Sequence, residues 1–228
     1  MKHSGKALSA ALQMVGRTLL WLLGVLLIGL LAKFLATFVS LVAGTLVVLW
    51  VIFCGFTFWF FRDPDPKVPT AANAIVAPGH GKVDVIDETT EMEFMGGPCQ
   101  RVSIFLSVVD IHVQQSPIAG RVAYLKHKPG LFLNALRTDS AAHNENVLIG
   151  FESSEQPGEK IGVRLITGLI ARRIIPWVQV GDTSTRGERI SLIQFGSRVN
   201  LYLPLTAKVV VKLGDRVVGG ETIIATRN

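Results

Sequence analysis

The sequence has little cysteine and lacks the motifs of several common protein classes. Only two cysteines are present, Cys54 and Cys99. Their spacing does not match a metal cluster, and we do not expect them to pair, so a reducing compartment fits. The sequence also lacks a glycine-rich phosphate loop and any alternation of strands with helices, which argues against a nucleotide-binding α/β fold.

Charge is nearly absent from one long N-terminal stretch. From Thr18 to Phe61 the only charged residue is Lys33. The part after Lys33 is long enough to span a bilayer, which needs about 20 residues. The part before it reaches that length only if it starts near Leu12 and Arg17 extends to the headgroups. We predict a helical hairpin turning near Lys33, or one span plus an interfacial helix. A signal peptide is the alternative, but no small-residue cleavage site precedes polar sequence.

Basic residues flank this stretch on both sides. Lys2, Lys6 and Arg17 precede its core, and Arg62 and Lys67 follow it. The positive-inside rule therefore predicts that both termini lie in the cytoplasm. The formal net charge of +6 favours an anionic partner. Acidic lipids at a membrane surface fit this charge, whereas no recognition motif supports nucleic acid.

The remainder of the chain is typical of a mostly-β domain. Prolines after Arg62 end the hydrophobic segment, because proline cannot continue a helix. Short runs of β-forming residues then alternate with Gly and Pro. The predicted strands are Val102–Leu106, Gly120–Leu125, Val147–Phe151, Ile161–Ile166, Ile190–Phe195, Val199–Leu203, Lys208–Leu213 and Glu221–Ala225. We predict a membrane-anchoring segment at residues 1–61 and a single barrel or sandwich at residues 62–228.

Two further segments allow a local prediction. The stretch Gly168–Trp177 is the one candidate for a helix, although it could also be extended. Residues 209–221 are typical of a hairpin with a Gly-Asp turn, and we assign no chemistry to that turn.

Two short motifs could carry chemistry. The pair Gly196-Ser197 interrupts an otherwise apolar strand, which by itself is typical of a bulge or bend. His112 follows the predicted strand Val102–Leu106 within Asp110-Ile111-His112. An imidazole at the end of a buried strand is most often a core histidine with satisfied hydrogen bonds. Spacing alone therefore assigns no function to either motif.

Taken together and in order, these motifs resemble the phosphatidylserine decarboxylase family. The matching segments are Phe60-Phe61-Arg62-Asp63-Pro64, Val102–Ser107, Asp110-Ile111-His112 with Pro117, Pro129-Gly130, Asn144-Glu145, Ile166–Ile174 and Gly196-Ser197. The resemblance covers nearly all of residues 60–228. The preceding hydrophobic segment is similar to that of the short bacterial form of the enzyme.

The resemblance implies a self-processing enzyme. Members of the family cut themselves between Gly and Ser, here Gly196 and Ser197. Ser197 would become a covalent pyruvoyl cofactor, leaving a large and a small chain that stay together. The implied reaction converts phosphatidylserine to phosphatidylethanolamine and CO₂ through a Schiff base to the pyruvoyl group, with His112 as the acid/base. No metal is implied.

The resemblance also implies a location and partners. The protein would lie in the inner cell membrane, with its catalytic domain on the cytoplasmic face and phosphatidylserine as its lipid partner. A homodimer is also considered. Arg172 and Arg173 are candidates for binding the anionic lipid, although an arginine pair is more often simply solvated.

Three positions depart from the family's pattern. His80 stands where the family has an Asp that acts with a His and the Ser in self-cleavage. Asn146 replaces an Arg that usually follows Asn-Glu, and Gln115 replaces a second His found in some relatives.

The replacement at His80 leaves two outcomes open. A neutral His80 could accept a hydrogen bond from His112 or act as the base itself. It cannot provide a fixed negative charge, so we expect self-cleavage to be slower or more dependent on pH. The alternative is an unprocessed, catalytically inactive, membrane-tethered phospholipid-binding protein.

Overall fold

The computed structural model describes residues 6–133, 143–168, 173–194 and 196–227. The chain divides into two compact units, Met1–Thr57 and Phe58–Asn228. The described residues of the first unit are helical, and the second unit consists mostly of strands. The predicted class, a mostly-β domain after an apolar helical segment, is confirmed.

The N-terminal segment forms helix α1, Lys6–Phe60. At ~1.5 Å per residue such a helix is about 82 Å long, more than twice the ~30 Å core of a bilayer. Its large apolar side chains are exposed along nearly its whole length. By length and composition it is a candidate for crossing a membrane.

Helix α1 differs from the predicted hairpin because it continues through Lys33. The residues around this position, Leu30–Ala36, contain neither glycine nor proline. Most of them are strong helix formers, so the local sequence does not stop the helix.

The second unit contains short and medium strands. They are β1 Ala74–Val76, β2 Gly81–Glu91, β3 Gly97–Leu106, β4 Val113–Gln115, β5 Gly120–Lys128, β6 Asn146–Ser153, β7 Lys160–Thr167, β8 Ile174–Pro176, β9 Thr183–Ser184, β10 Arg189–Ile193, β11 Ser197–Leu203, β12 Lys208–Val209, β13 Arg216–Val217 and β14 Ile223–Thr226.

The strands form one large antiparallel sheet and two small ones. The large sheet has the order β13-β2-β3-β11-β7-β6-β5-β9, and the small sheets have the orders β1-β14-β12 and β4-β10-β8. Side chains from all three sheets meet in one apolar core, including Ile75, Ile104, Leu165, Ile190 and Ile224. Strand β11 lies between β3 and β7, and every one of its residues is buried.

Each of the eight predicted strands overlaps with an observed strand, although Phe195 lies outside the described residues. Strand β2 was not predicted, because charged and hydroxyl side chains occupy much of its exposed face. Part of the candidate helix is instead strand β8, and residues 169–172 are not described.

The predicted hairpin at residues 209–221 is wrong in its pairing. Strand β12 pairs with β14, and β13 pairs with β2. The turn itself is present: the Asp215 N–H donates to the Lys212 carbonyl at 3.2 Å, and Gly214 has a φ of +93°. The two sides of the turn do not pair with each other because each pairs with a different sheet.

Candidate active site

Ser197 begins the central strand β11. It pairs with Leu106 of β3 and Thr167 of β7, and it has no exposed surface. Its Oγ has no hydrogen-bond partner among the described residues. A buried polar group without a partner destabilises a fold by about 1–3 kcal/mol. Such a hydroxyl is more easily explained by chemistry than by stability.

Gly196 connects Ser197 to His112. The Gly196 N–H donates to His112 Nε2 at 3.0 Å, and Gly196 has a φ of +63°, which favours glycine. On the other side of the ring, His112 Nδ1 lies 2.8 Å from the Asp110 carbonyl oxygen. Because Nε2 accepts a hydrogen bond, the proton is on Nδ1, and the imidazole is neutral. The predicted residues Gly196, Ser197 and His112 therefore lie together.

His112 is buried and is contacted on several sides. Its side chain is buried, and the ring of Phe60 lies against it with centroids 4.5 Å apart. Burial lowers the pKa of His112 to about 4, although its hydrogen bond to Asp110 acts in the opposite direction. Its carbonyl accepts hydrogen bonds from Gln114 Nε2 at 2.7 Å and from the Ile193 N–H at 3.1 Å.

The loop after β3 explains how Asp110 supports this histidine. Asp110 Oδ2 accepts from the Ser107 N–H at 2.8 Å and from Ser107 Oγ at 2.6 Å. Its other carboxylate oxygen accepts from Arg216 at 3.2 Å. The carboxylate thus fixes the turn, and the backbone carbonyl of Asp110 is left to hold the His112 ring.

His80 lies between β1 and β2, directly before Gly81. A Cβ on Gly81 would lie 2.2 Å from the Phe105 carbonyl oxygen, so the backbone carrying His80 packs closely against β3. Partial burial lowers the pKa of His80, while the nearby carboxylates of Asp110 and Glu221 oppose this shift. A charge on His80 would in turn lower the pKa of His112, so the two rings interact electrostatically.

One of the two arrangements considered for His80 is not formed. Both ring nitrogens of His112 are used, one by Gly196 and one by Asp110. His112 therefore has no N–H left to donate to His80. The role of base for His80 is the one that stays open.

Gln115 is a polar residue of this region that the sequence showed only as a departure. Its side chain is buried, and its Oε1 has no hydrogen-bond partner in the described part of the chain. A Cβ on Gly219 would lie 2.1 Å from Gln115 Oε1 and 3.1 Å from His80 Cδ2. Gly219 therefore leaves room for an amide and an imidazole to lie side by side. In the sequence, the adjacent pair Gln114 and Gln115 was the one signal that could have indicated a polar residue of the site here.

The other notable polar residues have different surroundings. Asn146 is buried; its side chain accepts a hydrogen bond from Arg164 at 3.2 Å and donates one to the Asn144 carbonyl at 2.9 Å. These hydrogen bonds give Asn146 a structural role in the sheet. Arg173 is exposed, and Arg172 lies outside the described residues. Within the described ranges, no group of three His, Cys, Asp or Glu side chains is placed to hold a metal ion.

Comparison with known proteins identifies the family. The family model described as phosphatidylserine decarboxylase matches residues 53–225. The chain belongs to this family. It is 40% identical over 194 residues to a phosphatidylserine decarboxylase proenzyme of Desulfotalea psychrophila, covering 83% of this chain and 90% of that protein. It is 43% identical over 169 residues to the proenzyme of Symbiobacterium thermophilum, covering 74% and 78%.

A further relative shows the same extent of similarity. The proenzyme of Rhodopirellula baltica is 37% identical over 208 residues, covering 87% of this chain and 86% of that protein. The similarity to phosphatidylserine decarboxylase proenzymes thus includes the β domain with both Ser197 and His112.

Proposed function

We propose that this protein is a self-processing, pyruvoyl-dependent phosphatidylserine decarboxylase that forms phosphatidylethanolamine and CO₂. The observation that carries the proposal is the buried Ser197 Oγ, which has no hydrogen-bond partner in the described part of the chain and directly follows Gly196. His112, a neutral acid/base candidate, holds the N–H of Gly196. The relatives named as proenzymes support a chain that matures after synthesis.

Cleavage would begin at Ser197. Its Oγ loses a proton and attacks the Gly196 carbonyl carbon, the bond to the Ser197 nitrogen breaks, and that nitrogen takes up a proton. The product is an ester between the two residues. Because the Nε2 lone pair of His112 is occupied by the Gly196 N–H, we assign the role of base to His80.

The cofactor would arise from the same residue. Loss of the Ser197 α-proton breaks the bond between Cβ and Oγ and releases Gly196 as a carboxylate. Water then replaces the nitrogen of the resulting dehydroalanine, which leaves as ammonia. The residues present fit this chemistry, because the hydroxyl is buried, is not hydrogen-bonded within the described residues and has an imidazole nearby.

In the mature enzyme, a pyruvoyl group at position 197 would supply a ketone for condensation with the substrate amine, with loss of water, and an acceptor for the electron pair released with CO₂. We assign to His112 the relay of a proton from solvent to the substrate carbon afterwards, because its neutral Nε2 carries no proton of its own. After cleavage, its Nε2 would no longer be restricted by an unbroken chain at Gly196. Phe60 would exclude water from one face of the ring.

The proposed location is the inner cell membrane, with the catalytic domain on the cytoplasmic face. The apolar helix α1 supports membrane association, and basic residues on both sides of it support a cytoplasmic domain. The proposed partners are phosphatidylserine and the two chains of one precursor; a homodimer remains part of the proposal.

The test is the intact mass of the detergent-purified protein, beside a Ser197→Ala control. We expect a fragment that begins at residue 197 with a pyruvoyl end, together with decarboxylation of phosphatidylserine in mixed micelles. Ser197→Ala should remain full length and inactive. A wild-type chain that stays full length would instead support the inactive lipid-binding alternative.

A further inference from the structure

Arg198, the residue after Ser197, is buried and makes an ion pair with the partly exposed Asp84 that none of the steps above uses. Its Nη1 and Nη2 donate to the two carboxylate oxygens of Asp84 at 3.0 and 2.5 Å. The side chain of Arg198 is only 2% exposed, and that of Asp84 is 28% exposed. Two parallel hydrogen bonds fix the position of a guanidinium more strictly than a single contact does.

The ion pair crosses an intervening strand. Arg198 of β11 and Lys82 of β2 both pair with Phe105 of β3, which lies between these strands. Asp84 lies at an irregularity in β2, between Val83 and Val85. Such a bulge changes the direction of a side chain. The ion pair therefore joins the start of β11 to β2, the strand on the other side of β3.

Cleavage between residues 196 and 197 would give this ion pair a particular position. Asp84 would belong to the large chain and Arg198 to the small chain. A pyruvoyl group has no amide N–H, so Arg198 would become the first residue of the small chain with one. Chain ends fray unless they are held. A displacement of about 1 Å at a reacting group is sufficient to reduce a rate by roughly 100-fold.

We infer that the Arg198–Asp84 ion pair is a clamp that holds the new end of the small chain in place. Both residues are positioning residues for decarboxylation, and this inference rests on the proposed function. Stability alone explains the pair incompletely, because at a position as buried as Arg198 an apolar side chain of similar volume is often at least as stabilising. A bidentate pair adds a defined position for the residue next to the reactive end.

The chain offers a matched control for this inference. Arg101 of β3 and Asp87 of β2 also form a bidentate pair, at 2.9 and 2.5 Å. That pair is more exposed, at 24% and 40%, and both residues would stay in the large chain after cleavage. Arg101→Met therefore removes a similar interaction from the same sheet without touching the new chain end.

The experiment compares Arg198→Met, Arg198→Lys and Arg101→Met with the wild type, all as full chains in detergent. Three quantities are measured: the cleaved fraction by intact mass, kcat and KM, and the rate at which phenylhydrazine modifies the ketone of the small chain. For Arg198→Met we expect complete cleavage, an unchanged KM, a kcat reduced about tenfold or more, and several-fold faster modification. Arg198→Lys should be intermediate, and Arg101→Met should behave as wild type.

The outcomes separate the clamp from the proposed function. Wild-type kcat and ketone reactivity in Arg198→Met would overturn the clamp, as would loss of cleavage in both Arg198 variants, because the pair would then act before the cut. If Arg198→Met does not fold, Arg198→Lys decides by the same criteria. A wild-type chain that is never cleaved overturns the proposed function itself, and the clamp with it.

Discussion

The residues of the candidate site differ in the hydrogen bonds that their side chains make. His112 uses both ring nitrogens, one for Asp110 and one for Gly196, whereas Ser197 Oγ uses neither its proton nor its lone pairs within the described part of the chain. A buried hydroxyl without a hydrogen-bond partner and an imidazole held in one tautomer are more easily explained by chemistry than by folding. Mutations at these positions should therefore change rates more than they change folding.

A substitution at His112 should separate cleavage from turnover. In His112→Gln, an amide oxygen can still accept the Gly196 N–H, but the side chain cannot transfer a proton. We expect the variant to be cleaved and kcat to fall by a factor of about 10² to 10⁴. The measurement is intact mass together with CO₂ release from labelled phosphatidylserine. Wild-type turnover in the cleaved variant would remove His112 from the reaction.

The pH dependence of self-cleavage should report on His80. Burial lowers its pKa from the usual 6.5, so the ring is neutral and able to accept a proton at pH 7. We expect the cleavage rate to be constant above pH 6.5 and to fall at lower pH, as the ring becomes protonated. The rate is measured by following a freshly translated precursor over time at each pH.

Two variants at position 80 complete this test. His80→Gln should be cleaved at least tenfold more slowly and should lose the decline at low pH. His80→Asp should remain active to lower pH, because a carboxylate is deprotonated there. If neither the rate nor its pH dependence changes in either variant, His80 is not the base.

The sequence predicted these residues unequally. Ser197 and His112 were found through motifs that occur in a defined order, and His80 was found because it breaks one of them. The Arg198–Asp84 pair was not found. Its partners lie 114 positions apart and meet only because β2, β3 and β11 are neighbours. Pairing across strands cannot be obtained from local patterns.

At the scale of elements, close backbone packing positions His80. Gly81 has a φ of +150°, and a Cβ there would lie 2.2 Å from the Phe105 carbonyl oxygen of β3. Gly96 also has a positive φ, +77°, but a Cβ there would meet nothing within 4 Å. A side chain at Gly96 would meet backbone strain alone, whereas a side chain at Gly81 would meet strain and a steric clash. Comparing substitutions at the two positions therefore isolates the effect of the clash.

Alanine at these two glycines should have different effects. Gly81→Ala should lower the free energy of unfolding by roughly 2–4 kcal/mol and slow cleavage, since β2 must move away from β3. Gly96→Ala should lower it by about 1 kcal/mol and leave cleavage unchanged. Thermal unfolding and intact mass measure both. Equal effects of the two substitutions would show that the close approach at Gly81 does not matter.

The elements also show where local sequence is sufficient. Strands with mostly apolar residues, such as Val199–Leu203, were predicted because they are buried on both faces. Strand β2 was not predicted, because its many polar residues obscure the alternation of apolar and polar side chains that is typical of a strand. At residues 209–217 the turn was correct and the pairing was not. A turn is encoded by a few residues, whereas the partner of each flanking strand depends on the whole sheet.

At the scale of the whole molecule, the small chain left by cleavage would share its β-sheets with the large chain. Strand β11 pairs with β3 and β7, β13 pairs with β2, and β14 pairs with β1. Near the C-terminus, Arg227 binds Glu155 at 2.7 Å and Glu159 at 2.8 Å, with its side chain 7% exposed. The fragment Ser197–Asn228 therefore has strand contacts and buried ion pairs with the rest of the domain.

We expect the two chains to remain together until the domain unfolds. On gel filtration in mild detergent they should elute as one species, and in urea they should separate at the midpoint at which the β domain loses its structure. The reason is that each strand of the small chain that contacts the large chain lies within a shared sheet, so it cannot leave without breaking that sheet. Separation well below the unfolding midpoint would contradict this expectation.

Arg227 offers a quantitative check on the same association. Removing its charge leaves Glu159, which is only 5% exposed, without this cation. Arg227→Met should therefore lower the free energy of unfolding by roughly 3 kcal/mol. The urea midpoint of chain separation should fall together with the urea midpoint of unfolding. The control is Arg121→Met, because the Arg121–Glu152 pair is 56% and 44% exposed and should contribute less than about 1 kcal/mol. If Arg227→Met shifts unfolding but not separation, the chains do not part when the β domain unfolds, and the expectation for their association is wrong.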